Sequence, residues 1–326
     1  MRESLQSRTK LFVENRQKIK SAFILENIYM YPLSAFMYAQ RGLDADVSAI
    51  KNSADLIRQK TGLFSNFRGT SKLAVATVMS LTEDPKSRID RMLSIYNKLR
   101  KVFPGSEYLT VAALVISDIT DEQIEDQLIM RTKSLYNMMK KNHPLVTSGD
   151  DYTLAALLAK SDTDDITIME MSEKCFDILK KEFLSSNAVA ALSNVITLGG
   201  TRMQENCQRA IDIFEGLKAR GIKYGTGFEL PALGVLSILD IDIDSIIEDI
   251  CETDEVLKKE NGFGALGIGS RQRIMYCAAL AMCDYYPSSQ LMSAAAINSV
   301  VSVNIANQIA IYSSMAAASA ASAAAY

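Results

Sequence analysis

Short runs rich in alanine and leucine recur along the chain, and no other feature limits the fold so strongly. They are "KLAVATVMSL" from Lys72, "YLTVAALVIS" from Tyr108, "YTLAALLAKS" from Tyr152, "NAVAALSNVI" from Asn187, "ELPALGVLSI" from Glu229 and "RIMYCAALAM" from Arg273. Aligned on Thr77, Ala113, Ala156, Ala191, Ala232 and Ala279, they are separated by 36, 43, 35, 41 and 47 residues. Spacings of this size belong to arrays of helix pairs. Alanine lets helix axes approach closely, so each run is expected to be the buried member of a pair.

A turn and a longer amphipathic helix follow each run. In "TEDPKSRIDRMLSIYNKLRKVF" one stripe carries Ile89, Met92, Leu93, Tyr96 and Leu99; in "TDEQIEDQLIMRTKSLYNMMKK" it carries Ile124, Leu128, Leu135 and Met138. Asp84 before Pro85 reads as a cap with a first-turn proline, and Thr120-x-x-Gln123 as a capping box. "DTDDITIMEMSEKCFDILKKEF" and "QENCQRAIDIFEGLKAR" continue the pattern. No convincing strand alternation occurs. The expected fold class is all-α: an array of about six helical hairpins, α-solenoid-like or a compact helical-repeat stack. Residues 1–66, with helices near 11–38 and 47–61, are expected to form an amino-terminal cap, and residues 67–286 the array. Residues 287–326 are expected to form an uncharged helix and an Ala/Ser tail.

From Tyr285 to the end no side chain is charged, and Ile297, Val301, Ile305 and Ile309 form a stripe. Asn298, Asn304, Asn307 and Gln308 interrupt it, and such amides are costly in hydrocarbon, so no membrane span is expected. Self-association through that helix is one way to cover the stripe. The net charge of −3 gives no general reason to bind nucleic acid. The first twenty residues are locally basic, which reads as a solvated helix face, with membrane-surface contact as the weaker alternative. Cys175, Cys207, Cys251, Cys277 and Cys283 are scattered with no C-x-x-C pair, and the charged amino terminus offers no signal-peptide core. Both point to a reduced, cytoplasmic protein.

The pieces "FRG" (Phe67 to Gly69), "EDP" (Glu83 to Pro85), "YL…AAL" from Tyr108, "MMKKNHPLVTSGDDYTLAALLA" from Met138 and the Ala/Ser-rich end carry a family resemblance. Together they resemble an uncharacterised bacterial family catalogued as domain of unknown function 4003, from about residue 11 to the end. The resemblance implies a cytoplasmic bacterial protein. It brings no known activity, and no functional residue is carried over from it.

"KNHPLVTSGDDY" holds the only histidine. His143, Asp150 and Asp151 supply imidazole nitrogen and carboxylate oxygen, a donor set that suits a divalent metal or an activated water. The competing reading is a turn between helices. Pro144 ends one helix, His143 complements its negative end, and Ser148 with Asp151 forms a capping box for the next. The turn accounts for every residue and is the favoured reading. A metal site would need further ligands, such as Glu122, Asp162 or Asp165. Arg68 in "NFRGT" is a second candidate, for an anion at the start of the following helix. Gly262, Gly264 and Gly267 match G-x-G-x-x-G but follow a charged helix instead of a strand, which argues for a loop. "DIDIDS" from Asp240 lacks the glycine and the glutamate of a calcium loop and reads as a helix cap, and "SDTDD" from Ser161 as a connector. No cofactor is expected; a divalent metal at the His143 turn is the one exception considered. The expected function is a non-enzymatic binding or scaffold module for a protein or peptide partner. The alternative is a metal-assisted hydrolase, or another small-molecule enzyme, using His143, Asp150 and Asp151.

Overall fold

Four aspartates set the frame of the molecule. Asp46, Asp84, Asp164 and Asp242 each precede a helix and accept the backbone N–H three residues on, at 2.9–3.0 Å. Such a cap satisfies an orphan donor, and its charge complements the positive helix end. The structure, a computed structural model, describes residues 1–63, 65–69 and 72–285. All of its regular elements among these residues are helical.

Among the described residues, fourteen α-helices form seven consecutive pairs. They are α1 (Glu3–Ala22) with α2 (Met30–Ala39), α3 (Val47–Lys60) with α4 (Lys72–Ser80), and α5 (Pro85–Leu99) with α6 (Glu107–Ile119). Next come α7 (Glu125–Asn142) with α8 (Tyr152–Ala159) and α9 (Asp165–Leu179) with α10 (Ser186–Thr197). The last are α11 (Met203–Ala219) with α12 (Pro231–Ile238) and α13 (Ile243–Leu257) with α14 (Gly269–Tyr285). The even helices are the alanine-rich ones. Every residue of α2 and of α8 is buried. The odd helices bury one stripe each, as α5 does with Ile89, Met92, Ile95 and Leu99. Hydroxyls inside the even helices return to their own backbone: Thr77 donates to the Leu73 carbonyl and Ser193 to the Val189 carbonyl, both at 2.8 Å.

Each odd helix packs on the next odd helix, and α1 packs on both α13 and α14, so the stack closes on itself. The closure is well bonded. Arg2 reaches Asp249 at 2.7 Å and Asp284 at 3.2 Å, and the amino terminus pairs with Glu252. Phe12 packs on Phe263 and Tyr276, with ring centroids 5.5 and 5.3 Å away. The odd helices therefore form an outer ring around the even ones. Side-chain bonds between α7 and α9 join residues 31 and 34 apart, whereas those helices begin 40 residues apart. At 1.5 Å per residue, neighbouring outer helices are displaced by roughly 10 Å, so they lean relative to the ring axis.

Three details differ from the sequence reading. The span 11–38 is two helices broken at residues 23–29, where Tyr31 Oη donates to the Phe23 and Glu26 carbonyls. The Thr120 capping box does not form: α7 begins at Glu125, and the Thr120 hydroxyl turns to the Asp121 carbonyl. Glu125 and Asp126 at that helix start are instead held by Lys98, at 2.7 and 2.8 Å. The basic face of the first helix is not simply solvated, since Arg8 donates to the Ala39 and Gln40 carbonyls and Arg16 to that of Asn261. The stripe from Ile297 to Ile309 lies outside the described residues.

Candidate functional site

The ring has two unlike rims. Outer helices begin on one, with the aspartate caps, and end on the other with lysines: Lys140 and Lys141 on α7, Lys258 after α13. Lys180 and Lys181 follow α9 in the same way. Both arrangements complement helix dipoles. The result is an acidic rim and a basic rim on a chain whose net charge is only −3.

The acidic rim is tightly tied. Arg131 crosses from α7 to the carbonyls of Ala159 at 2.9 Å, Ser161 at 2.5 Å and Thr163. Arg209 crosses from α11 to those of Ser237, Leu239 and Ile241 at 3.0, 2.8 and 2.6 Å. Arg91 does the same from α5 to Thr120. Each is the seventh residue of its helix, and each satisfies carbonyls left open where an inner helix ends.

The "KNHPLVTSGDDY" turn lies on the basic rim between α7 and α8. His143 ends α7, with its backbone N–H on the Met139 carbonyl at 2.9 Å. Its Nε2 lies 3.1 Å from Glu173 Oε1, and its ring packs on Phe176 with centroids 4.3 Å apart. Asp151 accepts the Ser148 backbone N–H at 2.9 Å, the acid half of the capping box, while the Ser148 hydroxyl donates to Asp150. The three candidate ligands thus have separate partners. His143 and Asp151 do share the wall of a small cavity of about 10 Å³ with Glu173, Ser172 and Asn194, room for about one water. Burial, with the nearby Asp150 charge, pushes the Asp151 carboxyl up to about 7. Glu122, Asp162 and Asp165 sit in turns or helix starts of the opposite rim, and Asp165 pairs with Arg131 at 2.8 Å. Among the described residues no group of three or more His, Cys, Asp or Glu side chains is placed to hold a metal ion.

Arg68 stands elsewhere on the basic rim. Its guanidinium donates to the Thr61 carbonyl at 2.5 Å and to that of Arg58, closing the end of α3. It also lines a cavity of about 240 Å³ whose apolar wall includes Phe23, Ile57, Phe67 and Leu73. Arg58, Lys72 and Glu26 complete the lining, and Lys72 pairs with Glu26 at 3.0 Å. The G-x-G-x-x-G glycines lie in the loop between α13 and α14. Gly262 has φ +88° and leaves no room for a Cβ beside the Arg16 guanidinium.

Several residues of this rim carry no motif. Tyr136 and Tyr152 pack at a tilt with centroids 4.9 Å apart beside Phe103, and burial pushes the Tyr136 phenol up to about 12. Glu229, just before α12, is buried with Oε2 unpartnered, and burial raises its carboxyl. A buried glutamate in "FEL" is visible in sequence only as one polar residue in an apolar run.

Residues 15–310 match the model of a family described as a protein of unknown function (DUF4003). The uncharacterized protein YeaA of Bacillus subtilis (strain 168) is 23% identical over 263 residues, covering 78% of this chain and 77% of that protein. No solved structure matches. No helix among the described residues is long and apolar enough to cross a membrane.

Proposed function

The chain belongs to the DUF4003 family, and from that premise, which brings no activity with it, we propose a non-enzymatic helical-repeat binding or scaffold module that works through its basic rim. One observation carries the reading: the outward-pointing apolar side chains gather at the loop tips of that rim. Leu25, Leu63, Leu145, Leu184 and Leu266 are each exposed on a different loop. Solvent penalises such a collection unless something covers it during function. A protein or peptide partner, the expectation from sequence, is one such cover.

A photo-crosslinking residue at position 145, compared with one at Asp162 on the acidic rim, tests this in cells. Adducts, to protein or to lipid, are expected from position 145 and not from position 162. Equal yields from both would overturn the reading.

The enzyme alternative draws on Asp151 and His143 sharing a water-sized cavity, with a carboxyl that titrates near neutrality. Against it stand the separate engagements of His143 with Glu173 and of Asp150 with Ser148. Melting the protein with Zn²⁺, Mn²⁺, Mg²⁺ or Ca²⁺ decides. A saturating ligand at ~100 times its Kd adds about 2.7 kcal/mol, and a midpoint shift lost in His143→Ala would revive that alternative.

A further inference from the structure

What the basic rim meets follows from how its apolar side chains are spread. Among the described residues, every large hydrophobic side chain more than three-quarters exposed lies on this rim. They are Ile24 at 76%, Leu25 at 93%, Leu63 at 78%, Leu145 at 99%, Leu184 at 94% and Leu266 at 105%. Elsewhere the highest value is 65%, at Ile166. A solitary exposed leucine is ordinary; one at the tip of five of the seven loops on a single rim is not.

The turns are built to present them. Lys140 Nζ donates to the Pro144 carbonyl at 2.6 Å and to the Thr147 carbonyl at 2.5 Å, and Lys180 Nζ donates to the Leu184 carbonyl. Forty residues apart, two lysines thus hold the backbone on which a leucine points outward. Exposed Lys141, Lys181 and Lys259 stand beside them. The leucines stand one to a loop along the rim, with lysines at several of the same loops. They suit the headgroup–acyl boundary of a bilayer, where each aliphatic tip enters independently and lysine stems reach back to lipid phosphates. The cavity lined by Phe67 and Leu73 also sets cations beside an apolar wall, Arg58 paired with Asp55 and Lys72 with Glu26.

Resting on the proposed working rim, we infer that the ring docks peripherally on an anionic lipid bilayer, with Leu25, Leu63, Leu145, Leu184 and Leu266 inserted and the rim lysines over the headgroups. The acidic rim then faces away from the membrane, which sets a single orientation.

The test is sedimentation of the full chain with vesicles of phosphatidylcholine alone and of phosphatidylcholine mixed with phosphatidylglycerol. Binding to the mixed vesicles is expected, weaker by more than about tenfold without the anionic lipid, because each surface lysine contributes a factor of about five. The combined Leu145→Ser, Leu184→Ser, Leu266→Ser variant is expected to lose about tenfold or more in partitioning, with an unchanged unfolding midpoint. No sedimentation with anionic vesicles at low salt, or equal binding by the serine variant, would overturn the inference. If vesicles fail while position 145 still crosslinks to a protein, the bilayer is wrong and the working rim stands. If position 145 crosslinks no more than position 162, the rim reading falls as well.

Discussion

The two rims show how one set of helices yields one surface committed to the fold and another free for other use. On the acidic rim the turns are short, as at residues 81–84 and 239–242, and aspartate caps and crossing arginines occupy most of their polar groups. On the basic rim the loops run longer and vary, from residues 180–185 to 220–230 and 258–268. Capping physics accounts for the charges of both rims, since anions gather where helices begin and cations where they end. It does not account for the leucines. They are the part of the basic rim that stability does not ask for.

If that contrast is right, substitutions should separate cleanly. The largest effect is expected at the one buried acid of the His143 turn. The folded-state pKa of Asp151 is raised to about 7, so the folded protein keeps a proton that the unfolded chain has released. Stability therefore falls as pH rises from the ordinary carboxylate range to about 7, and the loss persists above it. Asp151→Asn, which can still accept the Ser148 N–H, should be more stable than the parent at pH 8, by on the order of 4 kcal/mol. The difference should vanish near pH 4. Urea unfolding at the two pH values measures it, and a constant difference would contradict the assignment.

Next comes the acidic rim. Arg209→Met keeps the aliphatic stem but strands the Ser237, Leu239 and Ile241 carbonyls, and should cost about 3 kcal/mol. Lys259→Met on the basic rim should stay within about 0.5 kcal/mol. Comparable losses from the two would dissolve the contrast. A single cap is smaller: Asp84→Ala should lower stability by about 1 kcal/mol, visible as a shifted urea midpoint with an unchanged slope. Smallest of all, Leu145→Ser should leave the unfolding midpoint where it is, because its side chain is 99% exposed. A clear loss there would mean that the tip packs on something within the ring.

Much of this was legible in the sequence. Stripes such as Ile89, Met92 and Leu99 mark the outer helices, and the aspartates before Ser87 and Ser245 mark where two of them start. The regular spacing was less visible. The outer helices from α3 to α13 begin 38 or 40 residues apart, but the recurring pattern in the sequence lies in the inner, alanine-rich helices, whose starts shift with basic-rim loop length. Arg91, Arg131 and Arg209 look like ordinary charges on an outer face until the carbonyls they cross to are seen. Closure of the ring joins Arg2 to Asp249, a contact across most of the chain that no local pattern announces. The His143 turn is legible in sequence because capping and turn chemistry are local, as in the box formed by Ser148 and Asp151. The partners of His143, Glu173 and Phe176, come from the next outer helix, which no local pattern indicates. Leu145, Leu184 and Leu266 sit in plain view between turn residues. Only the fold shows that they share one rim.

Hydrogen exchange of the full chain, with and without anionic vesicles, tests the central claim most directly: that the rims divide fold from function. The account predicts slowed exchange in residues 143–148, 180–185 and 258–268 when vesicles are present, with residues 81–84, 160–164 and 239–242 unchanged. Protection on the acidic rim, or no protection on either, would contradict it.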